Sequence, residues 1–300
     1  MSPTKLEHLF DRVDHLVARL EALLPPPVTP PDFRQAMAFR WRKKNGRGVL
    51  EPVKHPHAIR FADLLDVDAQ KERLIANTRQ FVEGRPANNV LLTGARGTGK
   101  SSLVKAALNQ FAKKGLRLIE VDKSDLVDLA DIVELLEGQP QRFVIFCDDL
   151  SFEANDPGYK SLKVALDGSI AAASENMLIY ATSNRRHLMP ERMSENLEAR
   201  HAEDGEIHPG ETTEEKISLS ERFGLWLSFY PFDQEQYLAV AEHWVNELAP
   251  QLKDKEAMRK AALLWALERG ARNGRVAYQF AKNWAGEIVS SPPRARRRAA

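Results

Sequence analysis

Three hundred residues, 43% of them hydrophobic, supply enough apolar surface for one large domain plus one or two smaller pieces. The formal charge of +1 gives no global reason to expect nucleic acid, so any such expectation must rest on local clusters. A lone cysteine, Cys147, excludes an intramolecular disulfide framework or a cysteine-rich metal site, and no uncharged stretch approaches the roughly 18 residues of a membrane span, so a soluble cytoplasmic protein without a membrane partner is the expectation.

In chain order, Leu6, Leu9, Phe10, Val13, Leu16, Val17, Leu20, Leu23 and Leu24 share one helical stripe with charges opposite, and such a helix needs a partner surface. Pro25, Pro26, Pro27, Pro30 and Pro31 end it stiffly. Residues 1–31 are therefore expected as a helix and linker that dock on their own domain or self-associate loosely. A basic aromatic segment, 32–60, follows. Arg34, Arg40, Arg42, Lys43, Lys44, Arg47, Lys54 and Arg60 stand against only Glu51, with Phe33, Phe39 and Trp41 in or beside the run. Cations interleaved with rings can track a nucleic-acid backbone while the rings stack on bases, which makes DNA a candidate partner through residues 34–60. The preferred alternative packs the rings on the main domain and leaves the cations solvated or paired with acidic neighbours, because a charge run alone is weak testimony.

From 61 to 230, strand-like runs at 89–93, 117–121, 143–148, 178–183 and 225–229 alternate with helical patterns. Their continuous apolar character suits parallel strands covered on both faces, so an α/β core is predicted. Residues 231–289 contain helical patterns only. Asp233 with Gln236 can cap the first, whose stripe is Tyr237, Val240, Ala241, Trp244, Val245 and Leu248; Met258, Ala261, Ala262 and Trp265 mark the second, and Val276, Phe280, Trp284 and Ile288 the third. The tail 290–300, with Arg294, Arg296, Arg297 and Arg298 after Pro292-Pro293, is expected to be disordered.

The chemistry concentrates in Gly94-Ala95-Arg96-Gly97-Thr98-Gly99-Lys100-Ser101, which follows the first core strand and precedes Ser102 and a helical pattern. Glycines at these positions let successive backbone N–H groups, through Ser102, point at phosphate oxygens. Lys100 can then reach the terminal phosphates and the Ser101 hydroxyl can hold Mg²⁺. The run 143–147 ends in Asp148-Asp149, where Asp148 can orient Mg²⁺ or its water ligands and Asp149 can activate the attacking water. One strand later, Asn184 ends the run 177–183 and is placed to contact the γ-phosphate and that water. Arg222 can serve as an arginine finger, in trans if subunits assemble. It can equally pair with an acidic neighbour, since residues 191–221 hold ten acidic and three basic residues and read as a mobile insertion. Arg275, with Arg272 as its competitor, opens the third helix and can report the γ-phosphate to the small domain.

In this order the elements resemble AAA+ ATPases over residues 61–289. More narrowly, Phe146-Cys147-Asp148-Asp149-Leu150-Ser151-Phe152-Glu153, the stretch from Ala181 through Asn184 to Leu188, and Leu219-Ser220-Glu221-Arg222-Phe223-Gly224-Leu225 are similar to an uncharacterised bacterial family of predicted AAA+ ATPases catalogued as a domain of unknown function. The resemblance implies ATP and Mg²⁺, hydrolysis, a five-stranded parallel sheet with a helical lid, and a ring-shaped homo-oligomer. It names no cargo, so the partner is an unknown protein or nucleic acid. Most AAA+ enzymes place Glu where this chain has Asp149, one methylene shorter, with Glu153 in reserve. Two alternatives to the ATPase stay open: a phosphate-loop kinase acting on a small molecule, and a nucleotide-gated scaffold with little hydrolysis.

Overall fold

The expected core strands all form, and each stops where its apolar run meets a turn. The computed structural model describes residues 12–17, 19, 31–44, 46–152, 156–167, 175–185, 188, 200–201, 207–208, 219–250 and 254–290. Most of the N-terminal stripe and its proline spacer, Glu153, most of the acidic segment and the basic tail lie outside these residues. A hairpin of β1 (Ala38–Lys44) and β2 (Arg47–Pro52) leads through a short turn at Phe61–Asp63 into α1 (Asp68–Val82). There follow β3 (Val90–Gly94), α2 (Lys100–Phe111), β4 (Leu116–Glu120), α3 (Leu129–Leu136), β5 (Arg142–Cys147), α4 (Pro157–Asp167) and β6 (Met177–Ser183). After a two-residue ladder of β7 (Arg200–His201) with β8 (Ile207–His208), β9 (Leu225–Phe229) completes the main sheet. The helices α5 (Gln234–Leu248), α6 (Lys255–Glu268) and α7 (Gly274–Ser290) make the lid.

The main sheet has seven strands in the order β2-β1-β4-β5-β6-β3-β9, parallel except for β2. Five of them are the expected strands; the other two correct the count. Residues 38–52 are not an appendage but an edge hairpin, with Ala38 to Arg40 registered against Leu118 to Glu120 of β4. Alternation explains it. Phe39 and Trp41 point into the core while Arg40 and Arg42 point away and meet carboxylates, Arg40 on Glu120 at 2.6 Å and Arg42 on Asp122 at 3.1 Å. Lys43 pairs with Asp128 at 3.0 Å and Lys44 with Glu51. The rings are thus packed on the main domain, as the preferred reading of this segment has it: Phe33 meets Phe39 and Phe143 edge-on with centroids 5.1 and 4.7 Å apart.

Trp41 is 2% exposed, lies so close over Gly48 that any Cβ there would meet its ring at 1.7 Å, and donates from Nε1 to Asp128 at 3.0 Å. Trp41→Ala should cost about 3–5 kcal/mol of unfolding free energy, as truncated buried aromatics do, in a urea titration.

Along β5, side chains alternate between two apolar layers. Phe143, Ile145 and Cys147 join Ile119, Ile179 and α3 on one face, and Val144 and Phe146 join Leu92, Tyr180 and α2 on the other. Burial pushes the Cys147 thiol up to about 12, so it stays protonated. At the far edge, α1 covers outward carbonyls of β9, with Gln70 donating to Ser228 at 2.8 Å and Arg73 to Trp226 at 3.4 Å, which blunts that edge against pairing.

The lid has its own apolar cluster around Tyr237, Ala262 and Phe280. Its first helix carries the expected reciprocal cap: Asp233 accepts from the Gln236 amide at 2.8 Å, and the Gln236 side chain accepts from the Asp233 amide at 3.0 Å. Val13, Leu16 and Val17 of the N-terminal stripe are exposed. No helix among the described residues is long and apolar enough to cross a membrane.

Candidate nucleotide-binding site

The strand order sets the site. With β3 beside β6 and β6 beside β5, the carboxyl ends of these three strands bring 94–101, 148–149 and 184 to one rim, the place where open α/β sheets bind ligands. Gly94 has φ +125°, and a Cβ there would lie 1.9 Å from the Phe229 carbonyl, so only glycine lets the chain leave β3 this tightly. The loop then delivers the first turn of α2, whose unpaired N–H groups and positive dipole end face the rim.

Lys100 is 6% exposed, and its ammonium donates to the carbonyls of Gly94 and Ala95, both at 2.7 Å, and to Asn184 Oδ1 at 3.0 Å. Its pKa is lowered: burial disfavours the charge, nearby Asp149 and Asp148 oppose that effect, and Arg96 adds to it. Asn184 passes the chain on by donating from Nδ2 to Asp149. Asp148 accepts at Oδ1 from Ser101 Oγ and from Thr182 Oγ1, each at 2.6 Å. Thr182 also accepts from the Asp149 amide at 2.9 Å, and its carbonyl accepts from the Leu150 amide at 2.7 Å, so the end of β6 grips the acidic turn at two points.

That grip bends Asp149 to φ +53°, a left-handed conformation that Asp and Asn tolerate far better than longer side chains. The departure from the usual AAA+ glutamate thus has a backbone reason. Ser101 and Asp148 offer a hydroxyl and a carboxylate oxygen in contact, hard oxygen donors that fit Mg²⁺, which takes few protein ligands and completes its shell with water and phosphate.

These groups open on a cavity of about 620 Å³ between core and lid. Arg96 to Ser102, Asp148, Asp149 and Asn184 line it together with the apolar Leu64, Val67, Phe232, Trp244 and Tyr278. Trp244 and Tyr278 meet edge-on, centroids 4.8 Å apart. Of the two competing lid arginines, Arg275 lines the cavity and Arg272 does not. Gly94 and Ala95 do not line it; their carbonyls accept from Lys100. The structure does not bring Arg222 here: within its own chain it pairs with Asp167 at the end of α4.

Thr182 and the aromatic wall were not foreseen. Thr182 follows from register alone, since Cys147 pairs with Ala181 and places the next residues, Asp148 and Thr182, side by side. Trp244 looked like core stripe, and it lies at the boundary of both roles.

The lid is fastened to this rim. The Gly274 amide donates to the Gly97 carbonyl at 2.9 Å, and a Cβ on Gly97 would sit 2.7 Å from the Asn273 side chain. Beside the cavity, buried Asp63 is bridged by Arg60, which also reaches Glu247 of α5 at 3.2 Å, and His243 lies 3.5 Å from the same carboxylate. Burial works to raise the Asp63 pKa, but the hydrogen bonds and charge of Arg60 outweigh it and hold the carboxyl below its usual range.

Among solved structures, ORC1 of Aeropyrum pernix in complex with DNA is similar at 17% identity with a TM-score of 0.51, covering 78% of this chain and 65% of that one. A RuvB variant of Thermotoga maritima matches at 14% identity and a TM-score of 0.43, over 75% of this chain and 71% of that one. Among curated proteins, the replication factor C large subunit of Staphylothermus marinus is 35% identical over 74 residues, which is 24% of this chain and 17% of that subunit. This chain therefore spans less than two thirds of ORC1, and the match spans less than a fifth of the replication factor C subunit. The likeness to ORC1 shows a shared fold, an α/β sheet that is mostly parallel with helices packed on it. The family described as "Protein of unknown function (DUF815)" matches residues 34–288, and the chain belongs to it.

Proposed function

We propose that this chain binds Mg²⁺-ATP between core and lid, hydrolyses it, and uses the cycle to move the lid against the core as part of a homo-oligomer acting on a macromolecule. One observation carries this: Lys100, Ser101, Asp148, Asp149, Asn184 and Arg275, from four separate stretches of sequence, converge on a single cavity that is also lined by apolar and aromatic side chains able to pack on a base. Ser101 and Asp148 would hold Mg²⁺, which neutralises phosphate charge when bound. Lys100 exchanges its two carbonyl acceptors for phosphate oxygens. Asn184, already linked to both Lys100 and Asp149, orients the attacking water. That water's oxygen bonds to the γ-phosphorus as the bond to the β–γ bridging oxygen breaks, ADP keeping the electron pair; Asp149 takes one proton from the water and returns it to solvent.

Arg222 would act in trans, leaving Asp167 for a neighbour's site. A nucleic-acid role for residues 34–60 loses its ring-stacking support and six of its cations to internal pairs. The deciding experiment is calorimetry with Mg²⁺-ATP alongside phosphate release without any added acceptor. Heat of binding, a change in Trp244 emission that Trp244→Phe removes, and free phosphate are expected. No heat sinks the ATP site, and phosphate that appears only with an added small-molecule acceptor would favour the kinase.

A further inference from the structure

Arg96 has a different standing from the rest of its loop. Its neighbours Thr98 and Lys100 are buried and hydrogen-bonded to loop carbonyls, whereas Arg96 is exposed, lines the cavity, and has no hydrogen-bond or ion-pair partner among the described residues. Arg275 shares all three properties. The two are tied together by main chain, because the hydrogen bond between loop and lid joins Gly97 to Gly274, the residues next to Arg96 and Arg275. A guanidinium stays charged at any physiological pH, so two of them facing one cavity without a carboxylate partner repel until an anion arrives between them. Lys105, the other lining cation without a partner among the described residues, is four positions past Ser101, a full turn down α2 from the loop. The loop tip is where the terminal phosphoryl group would lie, and the ammonium of Lys100 already has three acceptors to trade.

Resting on the ATP site proposed above, we propose that Arg96 is itself a catalytic residue: with Arg275 it clamps the terminal phosphoryl group of ATP bound in the same chain. Each subunit would then carry a charge-stabilising arginine of its own, whatever Arg222 of a neighbour adds. Planar N–H forks from loop and lid can each bridge two phosphoryl oxygens, and they gain most as negative charge builds there during the displacement. Because one fork sits on the lid, the same contact would draw the lid onto the loop when ATP is present and relax it once phosphate leaves.

The test uses the full chain and three readouts: single-turnover phosphate release from Mg²⁺-ATP, ADP affinity, and trapping of ADP with aluminium fluoride. Arg96→Ala should slow release by about 10²-fold and weaken the trapped complex by a similar factor, while ADP affinity stays within about threefold. Arg96→Lys, which keeps the charge and loses the fork, should still fall about tenfold. Melting curves of the ligand-free variants should overlay the parent, since the side chain is exposed. Unchanged release, wild-type behaviour of Arg96→Lys, or a parallel fall in ADP affinity overturns the clamp. If the parent chain binds no Mg²⁺-ATP, it is the site that fails, before any variant is made.

Discussion

Lys100→Ala will weaken Mg²⁺-ATP binding by about 10²-fold and remove measurable hydrolysis, with little change in the fold. The ammonium is the only buried cation lining the cavity among the described residues, and it is held 2.7 Å from each of two loop carbonyls. Without nucleotide these contacts hold a cation that burial has already weakened, and with nucleotide the same donors turn to phosphate oxygens. Truncation leaves the Gly94 and Ala95 carbonyls without their partner, at about 1–3 kcal/mol if they stay dry, but it also relieves the burial of a charge. The two effects oppose, so melting should shift by a few degrees at most, about 1 kcal/mol. Calorimetry is the direct measurement. Heats for the variant equal to those of the parent would mean that the loop does not grip a polyphosphate.

A further consequence concerns Asn184. In the ligand-free chain it is shared between Lys100 and Asp149, so the lysine's departure toward phosphate would release the Asn184 oxygen. Two parts of the machinery that lie on neighbouring strands are therefore coupled through one amide, and the loss of Lys100 should also loosen the water-orienting arm. That coupling is why turnover is expected to fall further than affinity.

Legibility from sequence followed burial. The central strands β5, β6 and β3 are covered on both faces, and that burial writes itself as near-continuous apolar runs. β1 is covered on one face only, so its inward Phe39 and Trp41 alternate with outward Arg40 and Arg42, and a run of cations overlies the period of two. The signal was present. Nothing in the local pattern, by contrast, could place Thr182 against Asp148 or Trp244 against the cavity, because both contacts depend on register and on docking between domains. Arg222 shows the converse. Its setting in sequence resembled a finger, but one chain alone pairs it with Asp167, and only assembly could move it to another site. The loop 94–101 was readable because its conformation is written in backbone, as glycines at fixed spacing.

Asp149→Asn should leave Mg²⁺-ATP affinity within about threefold and lower single-turnover hydrolysis by about 10²–10⁴-fold, the range expected for loss of a general base. The substitution suits the backbone, since Asn tolerates φ +53° as well as Asp, and the amide hydrogen bond to Thr182 is main-chain and survives. A drop in turnover would thus report the missing carboxylate rather than a distorted turn. Asp149→Glu makes the complementary case. Restoring the longer acid usual in AAA+ enzymes should not restore speed here, because a longer side chain at a left-handed residue costs about 1–2 kcal/mol and the added methylene would carry the carboxylate past Asn184. If Asp149→Glu instead outpaces the parent, side-chain length and not backbone conformation limits the reaction, and the site has been kept slow by its missing methylene. If Asp149→Asn hydrolyses ATP at the parent rate, the proton goes elsewhere, and the acidic turn serves Mg²⁺ through Asp148 alone.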